Sequence, residues 1–115
     1  MNRIIDLVDH YFASNMVDQE FISRLTGAYI TYLIEDYIGG NMSDDSFSIT
    51  FEKTYNNRFS GEGFSEEELT AIRRLSEVAG RYSSSENDLK IQNAFFGSQD
   101  LYAAALIAGE ALGLQ

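Results

Sequence analysis

The side chains in this chain with chemistry to offer are mostly carboxylates, and their spacing limits what that chemistry can be. Eighteen Asp and Glu stand against eight Lys and Arg, with one histidine and no cysteine, for a net charge of −10. The histidine, His10, lies between Asp6 and Asp9. A general base needs a nucleophile beside it and a third group to orient it, and nothing in the sequence places a serine there. Without cysteine there is no thiol nucleophile, thiolate zinc site or disulfide. Consecutive residues such as Glu66, Glu67 and Glu68 project about 100° apart on a helix and do not converge on one ion. Asp6 and Asp9 share a face but supply only two ligands. "GGN" at 39–41 and "GEG" at 61–63 lack the flanking pattern and the lysine of a phosphate loop. The sequence therefore names no catalytic residue, no cofactor site and no metal site, and the expectation is a protein that is not an enzyme.

Carboxylates can also recognise cations on another molecule, and here their distribution is informative. Residues 35–68 hold Glu35, Asp36, Asp44, Asp45, Glu52, Glu62, Glu66, Glu67 and Glu68 against Lys53 and Arg58, a net of −7. Residues 69–98 hold Arg73, Arg74, Arg81 and Lys90 against Glu77, Glu86 and Asp88, a net of +1. Such a surface repels nucleic acid and anionic membrane and attracts basic partners. The plainer alternatives are a solvated acidic face and acids that complement helix dipoles. Seven tyrosines and eight phenylalanines supply core, and some tyrosines suit interface anchors.

These charges must be positioned by local structure. Ile4, Ile5, Val8, Tyr11 and Phe12 follow helical spacing, predicting a helix over Asn2–Ser14. Asp18 then suits an N-cap. Phe21, Ile22, Leu25, Ala28, Tyr29, Tyr32, Leu33 and Ile38 form the stripe of a long helix, Gln19–Ile38, that ends at the Gly39–Gly40 pair. Residues 43–61, "SDDSFSITFEKTYNNRFSG", carry two periods at once. Phe47, Ile49 and Phe51 alternate as in a strand, whereas Phe47, Phe51 and Tyr55 recur as one helix face. No second alternating run exists to pair with a strand, and Ser43 with Asp44 and Asp45 makes a good helix start. A helix over Asp44–Asn56 is predicted. Ser65 and Glu68 form a capping box, with Phe64 and Leu69 as a staple, at the head of a helix over Glu66–Tyr82. "SSSEND" breaks it, and a short apolar piece over 89–96 follows. Ser98 is expected to cap a last helix over Gln99–Leu112, with Leu101, Ala105, Ala108 and Leu112 inward. The sum is an all-α, single-domain bundle of about four to five helices over residues 1–115. No apolar run approaches the roughly 20 residues that span a bilayer. The charged start, with Asp6 and Asp9, is unlike a secretory leader. The expectation is a soluble cytoplasmic protein.

Two stretches resemble the colicin D immunity family and related bacterial toxin-immunity proteins, including those of contact-dependent growth inhibition. In "IIDLVDHYFASNMVDQEFISR", residues 4–24, an amphipathic helix ends in Ala13–Ser14. A second helix then opens with Glu20–Phe21, followed by Arg24. "EEELTAIRRLSEVAGRYSSSENDLKI", residues 66–91, is similar to the family's third helix and the acidic turn after it, with Glu86 and Asp88 in that turn. Residues 39–65 are longer than the family pattern. The resemblance implies a helical, non-enzymatic inhibitor that binds a transfer-RNA-cleaving toxin nuclease domain and covers its active site, its acids standing where RNA phosphates would. The candidate toxin-binding residues are Glu86 and Asp88, then Asp44, Asp45, Glu62, Glu66 and Glu67. The charge equally suits a phage-type nucleic-acid mimic acting on a host nuclease or CRISPR complex, or a helical interaction subunit.

Overall fold

The computed structural model describes residues 18–91 and 94–114, and over these the protein is all helical. The elements are α1 (Asp18–Ile38), α2 (Asp44–Arg58), α3 (Glu66–Gly80), a single turn α4 (Glu86–Leu89) and α5 (Ser98–Ala111). Among the described residues no strand forms, and one isolated parallel bridge joins Tyr82 to Phe96. The predicted helix over Asn2–Ser14, and His10 with it, lies outside the described residues. Asp18 is the first residue of α1 as described, so its role as a cap also lies at that boundary.

The ambiguous segment is helix α2. Phe47 and Phe51 are fully buried while Ile49 is 68% exposed. A strand would have put all three on one face. Ser43 caps the helix by accepting from the Ser46 amide at 3.1 Å. The four-residue spacing of its aromatics builds a continuous stack. Tyr37 lies parallel on Phe47 with ring centroids 4.2 Å apart. From there the rings pass through Phe51, Tyr55 and Phe59 to Phe64. The helix runs to Arg58, two residues beyond the expected Asn56, because Tyr55 and Phe59 continue that packing.

α3 starts as its sequence dictates. The Ser65 hydroxyl accepts from the Glu68 amide at 3.1 Å, and the Glu68 carboxylate accepts from the Ser65 amide at 2.8 Å. The helix ends at Gly80 rather than at Tyr82. The chain turns out there because Tyr82 enters the bridge: the Phe96 amide donates to Arg81 and the Ser83 amide to Phe96. α5 packs extensively along α3 and crosses the end of α1, with Leu101, Ala105, Ala108 and Leu112 buried as expected. Its N-cap is Gly97, not Ser98. The Asp100 carboxylate reaches back to accept from the Gly97 amide at 3.1 Å, and that bond fixes the cap one residue earlier.

α1 shows the largest correction. Its buried face is Ala28, Ile30, Leu33, Ile34 and Tyr37, whereas Ile22 and Tyr32, expected inward, are exposed. The helix is apolar on more than one side, and the side that meets α2 and α5 is the one that goes in. Ile30, Ile34, Phe47, Phe51, Ile72, Leu75 and Leu101 form the centre of the core. Among the described residues no helix is long and apolar enough to cross a membrane.

Candidate functional site

Helices α1, α2 and α3 succeed one another antiparallel, which decides where the seven candidate carboxylates stand. The Tyr37 hydroxyl at the end of α1 donates to Asp44 at the start of α2. Tyr82, just past the end of α3, lies against Asp45. Asp88 accepts from the Ser83 hydroxyl at 2.8 Å, so the turn that carries Glu86 and Asp88 belongs to this same end of the bundle. Glu62, Glu66 and Glu67 are at the opposite end, in the α2–α3 loop and the first turn of α3. α2, of 15 residues, sets the distance between the two groups, about 22 Å along its axis at 1.5 Å per residue. The seven do not form one cluster.

The two ends differ in how their acids are held. At the Asp44 end, hydroxyls engage the carboxylates. Tyr37 is buried and its hydroxyl is held well above the ordinary tyrosine range, first by burial, then by the hydrogen bond to Asp44 and that group's charge. The Tyr82 hydroxyl is raised in the same sense by burial, then by Asp45 and Asp44. Asp44 and Asp88 are half-buried, while Asp45 and Glu86 are exposed. At the other end Glu62, Glu66 and Glu67 are all exposed. Among the described residues no lysine or arginine forms a salt bridge with any of the seven; Arg74 pairs with Glu77 at 3.3 Å on an exposed face of α3. Arg74 also sits over the Phe96 ring.

Sequence reasoning missed three features. The tyrosines that meet Asp44 and Asp45 come from other helices, and only the packed fold shows them. Glu52 accepts a hydrogen bond from Ser76 and lies against Gly80, a polar contact between α2 and α3. Glu110 is in the last turn of α5, where no basic residue accompanies it. An acid at the negative end of a helix dipole is a signal the sequence did carry.

The chain matches no protein-family model, and no match was found among curated proteins or solved structures. What the surface does must be argued from its own residues. Among the described residues no group of three or more His, Asp or Glu side chains is placed to hold a metal ion. The arrangement presents exposed carboxylates at both ends of α2, chemistry that suits cationic groups.

Proposed function

We propose that this protein is an immunity protein that binds a basic toxin nuclease domain and blocks its access to RNA. The observation that carries this reading is the un-neutralised surface. Asp45, Glu62, Glu66, Glu67 and Glu86 are exposed, and among the described residues no cation of the chain pairs with them. A nuclease must present lysine or arginine to RNA phosphate, and those cations are complementary to exposed, unpaired carboxylates. The resemblance of residues 4–24 and 66–91 to the colicin D immunity family supports the same reading, as does the net charge of −10.

The test begins with the neighbouring gene. A large toxin gene directly upstream is expected. Its C-terminal nuclease domain should co-purify with this protein as a stoichiometric complex and should stop cleaving transfer RNA when the protein is added. Association should slow as salt rises, because steering is screened beyond about 8 Å at 0.15 M ionic strength. A chain that neither binds that domain nor relieves its toxicity is not an immunity protein.

A further inference from the structure

The bundle leaves an open cleft of about 510 Å³ between the first half of α3 and the last half of α5. Its lining is Glu67, Thr70 and Ala71 from α3 and Ile107, Glu110 and Ala111 from α5. The small side chains of Ala71 and Ala111 leave room at the floor. Ile107 forms an apolar wall that is 62% exposed. Glu67 and Glu110 are both exposed and supply one carboxylate from each helix. Among the described residues neither carboxylate has a salt-bridge partner or a hydrogen-bond donor.

We infer that this cleft receives a basic side chain, arginine or lysine, from a protein partner. The inference rests on the proposed function in taking the partner to be a basic protein, and it names what that partner presents and where. Long cationic side chains combine an aliphatic stem that lies on apolar surface with a head that seeks carboxylates. The cleft offers both in that order, an apolar floor and wall with an acid from each side. An apolar side chain would strip water from two carboxylates without replacing it. A phosphate would be repelled. Thr70, the one other polar group, spends its hydroxyl on the Glu66 carbonyl at 2.8 Å.

Glu110 gives the second, independent reason. Glu67 is in the first turn of α3, where the helix dipole stabilises an anion, so its presence has a structural explanation. Glu110 is in the last turn of α5, where the dipole opposes it and no basic residue of that turn offsets it. Its placement works against its own helix and is relieved when a cation occupies the cleft.

A titration followed by amide NMR shifts tests this directly, with the blocked peptide acetyl-Gly-Arg-Gly-amide as the probe and its neutral citrulline analogue as the control. Saturating shifts are expected at residues 67, 70, 71, 107, 110 and 111 with the arginine peptide only. The double variant E67Q/E110Q should weaken that binding at least tenfold, while Glu77→Gln should leave it unchanged. Thermal unfolding of Glu110→Gln should show a midpoint equal to or above that of the wild type, which a structural role for the residue does not allow. Shifts spread evenly over Asp44, Asp45 and Glu86 as well, or shifts that survive the double variant, overturn the inference. If the neighbouring nuclease binds E67Q/E110Q as tightly as wild type, the cleft is wrong while the proposed function stands. If that nuclease does not bind the wild type at all, the proposed function fails and the peptide titration still decides the cleft.

Discussion

The hydroxyl of Tyr37 donates to the carboxylate of Asp44, seven residues further along the chain, and this contact ties the end of α1 to the start of α2. It has a pH signature. Tyr37 and Tyr82 both hold their protons more firmly in the folded chain than in the unfolded one. A raised folded-state value means that the associated stability is fully present below the unfolded tyrosine pKa of about 10 and is lost as pH rises above it. Tyr37, the buried one of the two, contributes a slope of up to about 1.4 kcal/mol per pH unit in that alkaline range. Tyr37→Phe should cost about 1 kcal/mol at neutral pH, the usual value of a hydrogen bond, and should flatten the alkaline loss. Denaturant titrations at pH 9 and pH 11 check this; parallel losses in wild type and variant would remove Tyr37 from the account.

The capping box of α3 is a local device with a local cost. Ser65 and Glu68 satisfy each other's amides. Ser65→Ala should destabilise by about 1 kcal/mol and Ser65→Gly by less. Urea midpoints at constant slope measure both, and equal, negligible changes would mean that water replaces the box without loss.

Two helical glycines should respond differently to alanine. A Cβ at Gly27 would meet the Phe64 ring at 2.9 and 3.3 Å. That ring is half-buried and packed on Phe59, so it has little room to give. A Cβ at Gly109 would meet Ile38 Cδ1 at 2.9 Å, the far end of a flexible side chain. Alanine gains about 1 kcal/mol of helix propensity at either site, and overpacking costs about 1–3 kcal/mol. Gly109→Ala should therefore be near neutral and Gly27→Ala should lower the thermal midpoint by several degrees. The reverse order would show that Phe64 is free to move.

Much of the fold was legible because its signals are local. Ser43 with Asp44 and Asp45 marks one helix start, Ser65 with Glu68 another, and the four-residue recurrence from Phe47 to Phe59 places one helix face. What failed depended on contacts distant in sequence. Tyr82 leaves α3 because Phe96 draws the backbone into a bridge, and no local preference records that. The buried side of α1 is chosen by α2 and α5 among apolar residues found on several sides. The cap at Gly97 was within reach of the sequence, since Asp100 three residues on marks it better than Ser98. For the candidate surface, the acids were legible as composition. Their separation into two ends required the antiparallel order of α2 and α3.

That separation yields the most exposed prediction. At one end Asp44 is half-buried and bound to Tyr37, and Asp88 is bound to Ser83. Both have structural work, so charge reversal at either should lower the thermal midpoint whatever it does to binding. At the other end Glu62, Glu66 and Glu67 are exposed. Glu62 is in a loop, with no helix dipole to complement. Glu66 and Glu67 are in the first turn of α3, where reversal forfeits about 0.3–1 kcal/mol of dipole interaction. Glu62→Lys should therefore leave the midpoint almost unmoved, and Glu67→Lys should lower it slightly. If the proposed immunity function holds and the Glu62 end faces the toxin, both should weaken protection of cells that carry it and slow association at low salt, with the difference shrinking as salt rises. Reversal of Glu86, exposed at the opposite end, tests the alternative face by the same measurements. The two groups stand about 22 Å apart along α2, so their effects should add if one large interface spans both. Loss of protection confined to one end would place the interface there. Full protection by all three variants would leave the acids as a solvated surface and end the argument for charge mimicry.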